Sequence, residues 1–300
     1  MTDYGRPVEF GIFPTPEAER VADIIALARY ADGAAGLDFI GIQDHPYQRR
    51  FLDTFALMAV ILGRTERIRV FPDVANLPLR PPAVLAKAAA SLDVLSEGRF
   101  ELGLGAGGFR DAVTAMGGPA RTPGEAAGAL DEAVDIIRLM WSGERSLRYE
   151  GRHYRLAGVH PGPAPVHPMG IWLGVRGPRL LGVLGRKADG WCPSAPYATP
   201  DTIPDMQRRI DEGAAEAGRD PRDIRRLYNV FGSITDGPRT GPFAGPPAMW
   251  VEDLTSLAVD HGMDTFVFGA QDDDPAQHRR WAEEVVPAVR EAVGRHRGVG

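Results

Sequence analysis

A short apolar run, a turn, then a longer stretch with helical spacing: this beat recurs eight times along the 300 residues and leaves very few folds open. Residues 8–13 (VEFGIF) form the first run, closed by Pro14 and Pro16. Residues 17–35 then carry Val21, Ile24, Ile25, Leu27 and Ala28 at helical intervals until Gly36. The runs 37–43, 68–75 and 100–105 follow with helices over 53–63, 82–95 and 123–141. Pro82 is well placed as a first helical residue, where its missing N–H has no partner to lose. After the fourth pair the rhythm breaks: 149–158 (YEGRHYRLAG) have hairpin character, and 161–168 hold four prolines in eight residues. The beat resumes at 171–175 with 178–188, 190–193 with 201–218, 227–234 with 248–262, and 265–269 with 275–295. Strands this short and continuously apolar belong in a parallel sheet covered on both faces. Eight equal units favour closure over a doubly wound sheet. The expected fold is therefore α/β, a (β/α)8 TIM barrel with an insertion after the fourth β/α unit, as a single domain over residues 1–300. The proline-rich segments 161–168 and 236–247 are expected at the barrel mouth, as lids.

Composition removes several kinds of partner. A net charge of −6 argues against nucleic acid, whose phosphates demand a basic face. No run of eighteen apolar residues occurs, so no membrane helix is expected, and the charged start over residues 1–9 is expected to hold no secretory leader. Cys192 is the single cysteine, which rules out an internal disulfide and points to a cytoplasmic home. There is no H-x-H, no H-E-x-x-H and no paired cysteine, so no metal is expected. The nucleophile elbow G-x-S-x-G is also missing.

In a barrel the chemistry sits on strand C-termini and the loops that follow them. His45 is the one histidine expected there, preceded by Asp44. An imidazole in that place either caps the loop or exchanges a proton near neutral pH, and its position favours the second, with Asp44 as its companion. His153, His160, His167, His261, His278 and His296 fall in the insertion, at the barrel bottom or on helices, and read as structural or solvated. Gly103 to Gly108 fit G-x-G-x-x-G, but the pattern follows the fourth strand and lacks the acidic residue about twenty positions on that a dinucleotide site needs. Those glycines read better as places where backbone approaches a flat ligand or a neighbouring loop. Gly174, Val175, Arg176, Gly177 and Pro178 close a strand and open a helix, with Arg179, Arg186 and Lys187 behind them. The free N–H groups of such a helix start suit an anion. Asp272 to Asp274 read as a solvated run opening the last helix.

Four passages, 43–47 (QDHPY), 76–107, 141–165 with its YEGRHY and PGPAP, and 171–191, together resemble the luciferase-like flavin-dependent oxidoreductases. That superfamily holds bacterial luciferase and the deazaflavin-dependent dehydrogenases and reductases. The resemblance runs from about residue 10 to about residue 289. It implies a flavin or deazaflavin ring lying across the barrel mouth, with Asp44 and His45 beside it. Asp73, Val74, Ala75 and Asn76 would back the ring, from a bulge with a non-proline cis peptide at Asp73–Val74. Gly105, Ala106 and Gly107 would flank the ribityl chain, and Gly174 to Pro178 would hold the phosphate. Phe13, Tyr47, Phe109 and Trp191 would shape the substrate pocket. One departure stands out: the sugar-phosphate dehydrogenases of that group place a glutamate proton donor where this chain has Gly108. The resemblance therefore implies a fairly apolar small substrate. The passages NLPLRPP and RGPRLL resemble the deazaflavin branch, which implies coenzyme F420 as hydride carrier, ahead of FMN. The alternatives are an FMN-dependent two-component monooxygenase served by a partner flavin reductase, and a non-catalytic flavin-binding barrel. A homodimer paired through the helices over 53–63 and 82–95 is also expected.

Overall fold

The computed structural model describes residues 3–298. Its strands are β1 (Glu9–Ile12), β2 (Phe39–Ile42), β3 (Arg69–Pro72), β4 (Ala75–Asn76), β5 (Leu102–Gly105), β6 (Leu147–Glu150), β7 (Arg155–Val159), β8 (Ile171–Leu173), β9 (Gly190–Trp191), β10 (Arg225–Ile234), β11 (Ala244–Gly245) and β12 (Thr265–Ala270). The helices are α1 (Val21–Gly33), α2 (Thr54–Leu62), α3 (Pro82–Leu95), α4 (Arg110–Ala115), α5 (Pro123–Trp141), α6 (Pro178–Lys187), α7 (Ile203–Glu216), α8 (Pro247–Val259), α9 (Pro275–Arg280) and α10 (Val286–Arg297). A single π turn, Trp281–Val285, joins the last two.

Proline fixes where many of these helices begin. Pro82, Pro123, Pro178, Pro247 and Pro275 each stand in a first helical turn. At α5 a capping box adds to this, with Thr122 accepting from the Glu125 N–H while the Glu125 carboxylate accepts from the Thr122 N–H. The helix Arg110–Ala115, in the loop after β5, was not anticipated; six residues are too few to show a period.

The strands are parallel in the order β3-β2-β1-β12-β10-β9-β8-β5-β4. The two ends of that order are halves of one barrel strand, interrupted at Asp73–Val74. A parallel bridge between Val70 and Phe100, with Glu101 N–H donating to Val70 O at 3.1 Å, completes the circle on the lower half. Eight barrel strands result, with the third one split. The strand expected over 68–75 is broken where Asp73–Val74 is a cis peptide bond.

Alternation along the strands decides what fills the barrel. The inward residues form layers. Lowest are Glu9, Arg69 and Arg225, with Arg69 and Arg225 both paired to the Glu9 carboxylate. Above them Phe39, Phe71 and Trp172 meet edge to face at centroid distances of 5.1 to 6.0 Å, beside Leu227 and Val267. Burying each such ring contributes about 1.5–3 kcal/mol, and together they plug the lower barrel. The next inward positions are Gly41, Asp73, Cys192, Asn229 and Gly269, much smaller groups. The barrel is thus filled below and hollow above. Outward residues such as Phe10, Tyr228, Val230, Phe266 and Phe268 pack against the helices.

The insertion lies elsewhere than expected. Segment 161–168 sits at the barrel bottom, because it precedes β8 and therefore joins a helix to a strand start. Asp93 near the end of α3 holds it, accepting from the Val166 N–H at 2.7 Å and from His167 Nδ1 at 2.6 Å. The hairpin β6–β7 runs back along α5, where Glu132 accepts the N–H groups of Arg152, His153 and Tyr154 at 2.7 to 3.1 Å. Segment 236–247 is at the mouth as expected, and β11 within it pairs with β10. That approach requires Gly232, where a Cβ would stand 1.8 Å from Phe243 O.

Candidate active site

Above the aromatic plug opens a cavity of 620 Å³ at the C-terminal ends of the strands. Gln43, Asp73 and Cys192 line its lower part, Phe13 and Phe231 one wall, and Gly174, Val175 and Arg176 the opposite rim. His45 and Phe109 stand at the lip, Phe109 being 56% exposed. Phe13 and Phe231 meet edge to face at 5.2 Å, which fixes that wall.

His45 is held through its ring. Its Nδ1 lies 2.5 Å from the Tyr47 hydroxyl, and Phe109 packs edge-on at 5.3 Å. Burial pushes the His45 pKa below 6.5, against the smaller opposing pull of Asp44, so the ring is neutral at physiological pH. Burial likewise pushes the Tyr47 phenol up to about 12, so it keeps the proton it can donate to Nδ1. Tyr47 thus touches the lip residues without lining the cavity.

Asp44 is turned away from this space. Arg80 grips its carboxylate in a fork, Nε to Oδ2 at 2.7 Å and Nη2 to Oδ1 at 2.9 Å, and the Asn76 N–H adds a third bond at 2.9 Å. Arg80 also reaches Asp53, the N-cap of α2, at 2.7 Å. One guanidinium therefore ties the loop carrying His45 to the bulge and to α2. Asp44 positions its neighbours, and a direct part in proton exchange finds no geometry here.

The bulge forms the floor beneath the opposite rim. Val74 projects toward β5 and β8, where only glycine fits: a Cβ would come within 2.7 Å of its side chain at Gly105 and 2.8 Å at Gly174, and within 2.0 Å of Pro72 O at Gly103. The glycines of the FELGLG run thus make room for the bulge. Gly107 has φ +80° beside Pro78, and Ala106 packs partly buried on the core. Ala75 and Asn76 continue the bulge inside the wall; Asn76 Oδ1 is buried without a partner, as are Asp73 Oδ2 and Asn229 Oδ1. Beyond Arg176, Gly177 caps α6 and Pro178 opens it, and the first intrahelical bond is Leu181 N–H to Gly177 O at 2.9 Å. The free N–H groups of that turn follow directly in sequence on the rim residues Gly174 to Arg176. Arg179 turns outward instead, donating to Gly124 O at 3.2 Å, while Arg176 lies over the Tyr197 ring at 5.3 Å.

Trp191 does not line the cavity. It is fully buried against the helix layer, with Nε1 donating to Val175 O at 2.8 Å. Strand alternation puts Cys192 inward in its place. Asp273 joins the cavity, accepting from the Thr15 N–H at 3.3 Å and pairing with Arg20, so the 272–274 run is only partly solvated. Asn229, Phe231, Ser194 and Tyr197 were missed. The signal for the first two was in the alternation Arg225, Leu227, Asn229, Phe231, legible once the strand is started two residues earlier. Outside the barrel a second cleft of 690 Å³ shares Phe231 and Pro196 with the mouth and runs between the 195–200 segment and α8. That cleft also carries a buried unpartnered atom, His261 Nδ1. The cleft lies outside the barrel, whereas the mouth cavity stands at the strand C-termini where a barrel places its chemistry, which marks the latter as the functional site. Among the described residues there is no cluster able to hold a metal ion, and no helix long and apolar enough to cross a membrane.

The sequence profile described as luciferase-like monooxygenase matches residues 7–239. An F420-dependent glucose-6-phosphate dehydrogenase from Nocardia farcinica is 28% identical over 230 residues, covering 74% of this chain and 68% of that protein. An F420-dependent hydroxymycolic acid dehydrogenase from Mycobacterium tuberculosis is 28% identical over 291 residues, 93% of this chain and 77% of that one. Among solved structures, an F420-dependent secondary alcohol dehydrogenase in complex with an F420–acetone adduct superposes with a TM-score of 0.82 at 19% identity, over 95% of this chain and 99% of that one. The FMN complex of the oxygenating constituent of 3,6-diketocamphane monooxygenase from Pseudomonas putida gives 0.74 at 20% identity, over 94% and 98%.

Proposed function

The chain belongs to the luciferase-like monooxygenase family, and from that premise we propose that it is an F420-dependent oxidoreductase acting on a small, fairly apolar organic molecule. The observation that carries this reading is the mouth cavity itself: a backbone bulge met by Gly105 and Gly174, with a rim, Gly174 to Arg176, that runs in sequence directly into the start of α6. A flat tricyclic ring with a phosphorylated side chain fits that combination, and Asp73 Oδ2, unpartnered on a residue of the cavity lining, is left for its polar edge or for the substrate. The relatives whose names state F420 dependence support the choice of carrier. When bound, the deazaflavin supplies or accepts a hydride.

The chain's own residues supply binding, orientation and proton handling. Val74 and Ala75 support the ring from behind, Gly105, Ala106 and Gly107 let the side chain pass close to backbone, and the turn from Gly174 to Pro178 takes the phosphate. His45, neutral and anchored by Tyr47, presents its other nitrogen at the lip as donor or acceptor. Phe13, Phe109 and Phe231 exclude water from the substrate side and suit an apolar molecule. Nothing lies within 4 Å of the position a Cβ would take at Gly108, so no acid stands there to serve a sugar phosphate. A cytoplasmic, homodimeric protein completes the reading; the single cysteine supports the first, and exposed apolar residues on α2 and α3 support the second.

A second reading, an FMN-dependent monooxygenase fed by a flavin reductase, is favoured by the FMN-bound structural neighbour. Fluorescence titration with F420 and FMN side by side tests the choice, with F420 expected to bind at least tenfold tighter, about 1.4 kcal/mol. Tighter binding of FMN than of F420, with substrate oxygenated only in the presence of reduced FMN and oxygen, would overturn the F420 assignment. Absence of turnover with any electron acceptor would leave only a flavin-binding barrel.

A further inference from the structure

Asp73 occupies the third inward position of its strand, after Arg69 and Phe71, directly above the aromatic plug. Its neighbours are the Gly41 backbone on β2, Cys192 beyond β9 and Asn229 on β10. Oδ1 accepts from Asn229 Nδ2 at 3.0 Å, while Oδ2 is buried and has no partner. The other fully buried aspartates are treated differently. Asp44 has a guanidinium fork and a backbone N–H; Asp93 has two backbone N–H groups and a histidine; Asp264 has the Arg226 N–H and the Thr265 hydroxyl. Those carboxylates are each satisfied by two or more donors and tie structural elements together. Asp73 faces neither a cation nor a backbone donor, and a buried carboxylate with a single amide donor is costly to keep charged. Burial therefore pushes it up to about 7, with the Asn229 amide pulling weakly the other way. Burial also holds the nearby Cys192 thiol protonated, so that group does not compete for the proton.

We propose that Asp73 is a second proton-exchanging group, at the buried end of the mouth cavity, its Oδ2 passing a proton to or from an oxygen or nitrogen acceptor on the molecule bound there. The proposal rests on the cofactor-binding reading above and deepens it. The exchange is balanced: the carboxylic acid gives up one proton and becomes carboxylate as the acceptor gains it, and the reverse restores it. Other groups stand apart from this buried end of the cavity: His45 is held by Tyr47 at the lip, and Asp273 is paired with Arg20.

The test uses the full chain with its aspartate carboxyls labelled with carbon-13. The ligand-free protein should show one carboxyl titrating near 7, and that titration should vanish in Asp73→Asn. Calorimetric titration with F420, or with FMN, in two buffers of different ionisation enthalpy then counts protons. At neutral pH the parent should take up a proton fraction on binding that Asp73→Asn does not. Asp73→Ser, smaller and also uncharged, should match Asp73→Asn and covers a folding failure of either variant. A carboxyl set that titrates wholly in the ordinary aspartate range, or equal proton counts in parent and variants, would overturn the proposal. Failure of both probes to bind would overturn the cofactor reading alone, since the ligand-free titration still decides the state of Asp73.

Discussion

Two residues at the mouth carry charge changes of opposite kind, and their signs can be measured. His45 is neutral because burial lowers its pKa, so it acts by hydrogen bonding or brief proton transfer and not as a standing cation. Replacing it with alanine should lower kcat by about a hundredfold while cofactor affinity stays within about tenfold. His45→Asn should recover part of the loss; an alanine variant with unchanged kcat would reduce His45 to a loop cap. Asp73 works the other way. Its folded pKa, about 7, lies above the ordinary 3.8, so the folded state holds a proton that the unfolded chain releases as pH rises between those values. Stability is therefore lost across that window, at about 1.4 kcal/mol per unit, on the order of 4 kcal/mol in all. Asp73→Asn escapes this loss. Its melting temperature relative to the parent should climb between pH 5 and pH 8, as calorimetry at the two pH values would read directly.

At the scale of elements, the start of α6 offers a clean substitution. Gly177 has φ −75° and open space around its missing Cβ, so Gly177→Val costs the free protein little. A phosphate drawn onto those N–H groups would meet the new side chain, and cofactor affinity should fall at least tenfold, about 1.4 kcal/mol. Unchanged affinity with an unchanged melting temperature would move the phosphate elsewhere. The same elements indicate what could be read beforehand. Helix starts were legible because proline marks them chemically: the helices over 82–95 and 123–141 fall at the expected bounds. The cis bond at Asp73–Val74 followed from family resemblance, since no local preference announces it. Strand parity was not legible at β9. Two residues of strand cannot reveal which face is buried when both are, so Trp191 was assigned the inward place that Cys192 holds. The misplaced 161–168 segment failed for another reason: proline content marks a loop, and only its position before a strand says which end of the barrel it occupies.

Across the whole molecule, apolar groups left on the outer helices bear on assembly. Val60 on α2 and Val84 and Leu95 on α3 are 44%, 65% and 80% exposed. Sedimentation at micromolar concentration should give twice the 32.5 kDa chain mass, and Val84→Glu with Leu95→Lys should shift it to the monomer; a parent sedimenting at 32.5 kDa would end the matter. The layering of the barrel has a different consequence, for descent. The ionic and aromatic layers that hold the strands in register lie below the cavity, and the residues that meet a ligand lie above. Changes at the lip, in Phe109 or Tyr197, touch little that closure depends on. A lineage built this way can exchange one substrate for another by drifting at the rim, while its lower half stays under purifying selection for the fold.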